Sequence, residues 1–99
     1  MTYYVEVKKL VTTRGDSVID NSFLAPNVTG TLTASWADAI AADEEMASGA
    51  FGIFTNSSDT DAAVAISNDA APESFHVVQA GSQRQIMLQA GVSMRVKLL

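Results

Sequence analysis

The sequence predicts a mainly β fold: a single-domain antiparallel β-sandwich or jelly-roll-like barrel of about seven to eight short strands with one short helix. Three observations carry this expectation. Side chains alternate between apolar and polar at both ends of the chain, the period of two of a half-buried strand. Turn residues punctuate the second half at regular intervals. One segment alone has helical spacing, whereas a parallel fold needs several crossover helices. The chain has 99 residues, 47% of them hydrophobic and 17% charged. That is one domain's worth at about 100–200 residues per domain, so residues 1–99 are read as a single β domain.

The elements follow in order. Residues 3–12 read as a strand, with Tyr3, Val5 and Val7 alternating against Tyr4, Glu6 and Lys8. Lys9-Leu10-Val11 breaks the alternation, as a bulge does. Arg14-Gly15-Asp16 is a turn signal, and residues 17–24 return as a second strand. Pro26 marks a connection, since it cannot donate to a central ladder. Residues 28–35 are a Thr-rich strand with Leu32 and Ala34 on one face. Residues 36–47 are the helix candidate: Trp36, Ala39, Ile40 and Ala47 share a stripe, Ser35 is placed to cap it, and Ser48-Gly49 closes it. Phe51–Phe54 is the next strand, and Asn56 to Asp61 is a polar turn. Residues 62–67 form a strand with Val64 and Ile66 inward. Three short strands follow, at 75–79, 84–89 and 93–98. Gln-Ala-Gly recurs at 79–81 and 89–91, which reads as an echo of successive hairpins. In the last strand Val92, Met94, Val96 and Leu98 face the core, and Ser93, Arg95 and Lys97 face out.

The charge is laid out unevenly. Lys and Arg total 6 against 11 Asp and Glu, a net −5. No basic residue lies between Arg14 and Arg84, and every acid except Glu6 does. If the terminal strands are neighbours, the chain has one basic edge on an acidic body. Lys8, Lys9, Arg95 and Lys97 are then the candidate contacts to an acidic partner. Nucleic-acid binding is not expected, because the net charge has the wrong sign and no aromatic series interleaves the basic residues. Neither a cationic start with an unbroken apolar run nor an apolar stretch of about 20 residues is present. No signal peptide, membrane segment or membrane partner is therefore expected.

Catalytic chemistry finds little purchase. The chain has no cysteine and a single histidine. That excludes disulfides, thiolate metal sites and thiol nucleophiles, and a zinc site built on several histidines. His76 shares a face with Val78, opposite Phe75 and Val77, and no strained nucleophile elbow accompanies it. Asp59 and Asp61, with Asn56 before them, are the nearest thing to a cation loop. The glycine and bidentate glutamate of a calcium loop are missing at the required spacing. The reading is of a non-enzymatic domain without a cofactor, whose outer surface does its work. Trp36, Tyr3 and Tyr4 are the aromatic residues that a carbohydrate- or ligand-binding module would use for stacking. Leu99, Phe23 and Leu24 are candidates to complete an oligomer interface.

The second half has a further pattern. It runs from Gly52-Ile53-Phe54-Thr55-Asn56 through Val64-Ala65-Ile66-Ser67-Asn68, then Phe75-His76-Val77-Val78-Gln79-Ala80-Gly81 and Ile86-Met87-Leu88-Gln89-Ala90-Gly91-Val92, to Arg95-Val96-Lys97-Leu98-Leu99. This succession of strand, Asn turn, apolar strand, Ala-Gly, strand, Ala-Gly and last strand resembles small virion proteins of tailed bacteriophages. The opening Thr2-Tyr3-Tyr4-Val5-Glu6-Val7 is compatible with it. The resemblance covers roughly half the chain and contains no site motif to carry residues across. It implies a β-sandwich structural component of the virion, made in the host cytoplasm. Such a component is a capsid decoration or cement protein bound in many copies to the major capsid protein, or a small tail or connector piece. It also implies virion proteins and further copies of itself as partners.

Overall fold

Tyr3, Val5 and Val7 point into the core as the alternation predicts, and the sheets assemble on that strand. The structure is a computed structural model that describes residues 1–13, 16–20, 28–46 and 49–99, with only the backbone course given for 10–13 and 16–20. Among these residues there are nine strands and no helix. They are β1 (Thr2–Thr13), β2 (Asp16–Asp20), β3 (Val28–Thr31), β4 (Ala37–Ile40), β5 (Ala50–Asn56), β6 (Ala62–Ile66), β7 (His76–Val78), β8 (Gln83–Met87) and β9 (Met94–Leu98). They form two antiparallel sheets. A five-stranded sheet runs β2-β1-β5-β8, with β3 also paired to β1, and a four-stranded sheet runs β4-β9-β6-β7.

The length of β1 organises the first sheet. One side of it pairs with β5 from Tyr3 to Lys9. The other side is shared, β3 taking Thr2 to Val5 and β2 taking Lys9 to Thr13. One cluster of buried side chains joins both sheets. Val5, Val7, Phe54 and Ile86 come from the first sheet, and Val64, Val78, Met94 and Val96 from the second. The two layers interdigitate large against small, as a well-packed interior requires. A Cβ at Gly52 would lie 3.0 Å from the methyl carbon of Met94 and 3.1 Å from Val5 Cγ1. Tyr3 stacks on Phe54 in this core, with ring centroids 5.5 Å apart. Burial pushes its phenol pKa above the usual 10.0.

Two expectations fail for physical reasons. The helix over 36–47 does not form: Ala37–Ile40 is an edge strand on β9, and Glu44-Glu45 lies in a turn. Positions 47 and 48 lie outside the described residues. A helix of about 12 residues is marginal on its own, whereas β9 offers this segment a ready ladder. A register shift between Asp38 and Ile40 lets Ala39 bury despite the helix-like spacing. The Ala-Gly echo does not mark hairpins either. β7 and β9 belong to one sheet and β8 to the other, so each Ala-Gly turn is an arch between layers. Gly81 and Gly91 take φ of 74° and 75°, a left-handed conformation that glycine adopts at little cost.

Smaller differences follow the same logic. The third strand stops at Thr31; Leu32 is buried as expected, but Ala34 is exposed. Ser93 is buried although the alternation places it outward, because the ladder begins only at Met94 and Ser93 N–H donates to Asn68 Oδ1. Met46 and Met94 fill the core as expected, but Met87 is 48% exposed. The turn at 14–15 and the end of the second expected strand, with Phe23 and Leu24, lie outside the described residues. Among those described, no helix is long and apolar enough to cross a membrane.

Candidate functional site

The outer face of the four-stranded sheet is the most distinctive surface. Register sets its rows: Val77, Ala63 and Lys97 lie opposite one another across β7, β6 and β9. In the next row Ala65 lies opposite Arg95, and Arg95 opposite Asp38. Trp36 immediately precedes β4 and Phe75 immediately precedes β7, at opposite edges of the sheet. Yet their rings meet edge to face, with centroids 5.8 Å apart and planes at 65°. Strands are spaced about 4.8 Å apart, so these side chains reach each other only by lying across the sheet. The short side chains of Ala63 and Ala65 make room for them. Both alanines are buried although they face outward.

Two cations hold Trp36 in place. Lys97 Nζ sits 5.9 Å from the centroid of the Trp36 ring, within the range of cation–π attraction. Arg95 Nη1 donates to Asp38 Oδ1 at 2.6 Å, and Nη2 donates to the Trp36 carbonyl at 3.3 Å. Arg95 Nε is buried and has no hydrogen-bond partner among the described residues. The Asp38 contact offsets that desolvation. Asp38→Ala is therefore expected to cost about 1 kcal/mol, the upper range for a pair with one solvent-facing partner. It should also shift the emission of Trp36, the only tryptophan. Denaturant titration read by fluorescence checks both.

Around this framework the face is apolar. Phe75 is 40% exposed, Val77 45% and Leu99 53%. Leu99 follows Arg95 and Lys97 in the alternation of β9, and its N–H donates to Asp61 O at 3.0 Å. Met1 and Met87 are the other exposed large hydrophobic side chains among the described residues, so three of five gather on one sheet face. Such clustering marks an interaction surface more than scattered exposure does. At its edge, the loop between β6 and β7 forms an open cleft of about 500 Å³ lined by Ile66, Ser67, Asp69, Pro72 and Glu73 among others. Its two carboxylates have no cation among the lining residues.

The expected basic edge is not assembled as one patch. Lys8 lies on the outer face of the five-stranded sheet, 3.7 Å from Glu6. Lys9 lies opposite Ala50 on β5. Arg95 and Lys97 lie on the outer face of the other sheet. The stacking trio is dispersed too: Tyr3 is in the core, Tyr4 is on the other face of β1, and Trp36 is half-buried on the other sheet. His76 is exposed and its neighbour Val78 is buried.

Asn56 is not a turn residue. It ends β5 fully buried, and every polar position of its amide is engaged. Nδ2 donates to Thr60 O at 2.9 Å and to Val78 O at 3.0 Å. Oδ1 accepts from Ser58 N–H at 3.0 Å and from the Ser58 hydroxyl at 2.6 Å. That oxygen is therefore not free to ligate a cation beside Asp59 and Asp61. Asp61 Oδ1 accepts from Ala80 N–H at 3.0 Å. No group of three or more His, Cys, Asp or Glu side chains among the described residues is arranged to hold a metal ion.

Phe75 and Val77 were not foreseen as surface residues. The signal was present in the run Ala62-Ala63-Val64-Ala65, whose small outward side chains leave a trough for longer ones from both edges. No protein-family model matches the chain, and no curated protein or solved structure is similar to it at a significant level.

Proposed function

We propose that this chain is a non-enzymatic structural protein of a tailed-bacteriophage particle, a decoration or cement protein that binds the head lattice in many copies. The observation that carries the reading is the outer face of the four-stranded sheet. Phe75, Val77 and Leu99 stand exposed there around the half-buried Trp36, with Lys97 among them. An apolar centre with aromatic anchors and a polar rim is the anatomy of a protein contact. The strand and Ala-Gly pattern of the second half, similar to that of small virion proteins, supplies the partner class.

Particles of a phage that encodes this chain provide the test. Quantitative mass spectrometry should find it in hundreds of copies per particle. A dozen or fewer would move it to the tail or connector, and absence from the particle would refute a virion role. Replacing Phe75 and Val77 together by serine should keep both sheets, since neither side chain belongs to the core between them, although Phe75 gives up its ring contact with Trp36. It should weaken lattice binding by about 2 kcal/mol or more, roughly thirtyfold. Occupancy of particles at limiting protein reads that loss.

A further inference from the structure

We infer that β8 is a self-association edge, through which two copies of this chain pair antiparallel about a two-fold axis at Gln85. β8 ends the five-stranded sheet and is paired on one side only among the described residues. Two hydrogen bonds fix which of its backbone groups are free. Asn56 N–H donates to Ser82 O at 2.9 Å, and Leu88 N–H donates to Ala50 O at 3.0 Å. In an antiparallel ladder, hydrogen-bonded pairs alternate with pairs whose N–H and C=O point away. Even-numbered residues of β8 therefore bond to β5. Gln83, Gln85 and Met87 turn their backbone donors and acceptors outward.

A second copy matches that edge without adjustment. With Gln85 opposite its counterpart, Gln83 falls opposite Met87 of the second copy, and Met87 opposite Gln83. Every outward residue meets an outward residue, and about six new backbone hydrogen bonds form. The side chains are compatible. Two neutral amides meet on the axis, and each half-exposed Met87 covers a Gln83. No acid occurs anywhere from Ser74 to Leu99, so the net −5 of each copy is centred elsewhere. Arg84 comes to lie opposite Ile86, and the two Arg84 side chains are only diagonal neighbours.

The remaining edges are blunted, as natural sheets blunt them. β4 carries a register shift and the charge of Asp38, β7 is three residues long, and the edge beyond β1 is divided between β2 and β3. β8 has none of these devices except Arg84.

Five paired residues bury far less than the roughly 1,200–2,000 Å² of a stable interface. The pair is therefore weak in dilute solution and is favoured where copies are concentrated side by side. In that respect the inference deepens the structural reading above, while its test in solution is independent of any particle. Sedimentation of the full chain should show monomer at about 10 µM and mostly dimer at about 1 mM, a dissociation constant on the order of 100 µM. Gln85→Pro removes an outward N–H that β5 does not use, and should weaken dimerisation at least tenfold. Gln85→Lys sets two ammonium groups face to face with no backbone change. It should weaken pairing at low salt and recover as salt is raised. In the cysteine-free chain, Gln85→Cys should oxidise to a covalent dimer far faster than Ser57→Cys, since paired Cα atoms about 5.5 Å apart suit a disulfide. A wild-type chain still monomeric at about 1 mM would overturn the inference. So would equal dimerisation of the wild-type, Pro and Lys chains, or equal cross-linking at positions 85 and 57.

Discussion

Replacing Asn56 by leucine is expected to lower stability by about 3–5 kcal/mol, among the largest single-residue losses this fold can suffer. The side chain is 0% exposed and makes four hydrogen bonds, two given and two received. Leucine is close in volume, so packing is nearly conserved and the loss comes from the polar groups left behind. The Val78 carbonyl and the Ser58 N–H lose buried partners, each at about 1–3 kcal/mol. These contacts tie the end of β5 to the arch at 57–61 and to β7, so the two sheets lose their common fastening at that end. Against a typical total of about 5–15 kcal/mol, little stability remains. The denaturant midpoint should fall with its slope unchanged, and the melting temperature should drop by about 15–30 °C. Asn56→Asp separates shape from hydrogen bonding. It keeps an acceptor but turns a carboxylate toward the Thr60 and Val78 carbonyl oxygens. The folded state then holds the carboxyl proton more tightly than the unfolded state does. Stability is present at low pH and is lost as pH rises from the ordinary carboxylate value through the raised one of the folded state. A loss below about 1 kcal/mol for leucine would show that the network is incidental.

Asn56 also shows where the sequence is hard to read. Asn-Ser-Ser-Asp looks like a solvated turn because these residues bond readily to nearby backbone. They do so here, but around a buried amide at the end of a strand. Composition reports the local hydrogen bonding and is silent about which side of the sheet it falls on. The terminal strands were legible because alternation is local and one face is dry, as with Val5 and Val7, or Met94 and Val96. The segment Trp36–Ile40 was not. Its three stripe residues, Trp36, Ala39 and Ile40, fit a helix as well as a bulged edge strand, and the choice was made by β9, far away in the chain. The arches at Gly81 and Gly91 read as hairpins because a positive φ fixes a turn but not the sheet that the next strand joins. The candidate site was the least legible part. The meeting of Trp36 and Phe75 needs the strand order β4-β9-β6-β7, and no local pattern encodes a strand order. The pairing of Arg95 with Asp38 was hidden for the same reason: the two lie 57 positions apart and meet only because β4 pairs with β9.

Gly30→Val opposes two principles and gives the second large effect. By intrinsic preference alone, glycine is a poor strand residue and valine a good one, so the substitution would stabilise β3. The packing dictates the reverse. Gly30 lies directly opposite Tyr3, and a Cβ there would stand 2.5 Å from Tyr3 Cζ and 2.7 Å from Cε1. Such contacts are relieved only if the ring moves. The ring cannot retreat, because its other side is stacked on Phe54 in the core. Either Tyr3 leaves the core, at up to about 3–5 kcal/mol for a large aromatic, or β3 separates from the first four residues of its partner strand. The expected loss is about 2–4 kcal/mol for Gly30→Val, with alanine nearly as costly because the clash begins at Cβ. The cross-strand ring covering a glycine is what makes the glycine tolerable in a strand. The decisive measurement is a double-mutant cycle. With Tyr3→Ala in place, Gly30→Ala should become neutral or mildly stabilising, since the steric term is gone and only backbone entropy remains. That implies a coupling of about 1.5 kcal/mol or more between positions 3 and 30. Additive effects at the two positions would mean that the ring over Gly30 does not hold β3 in place.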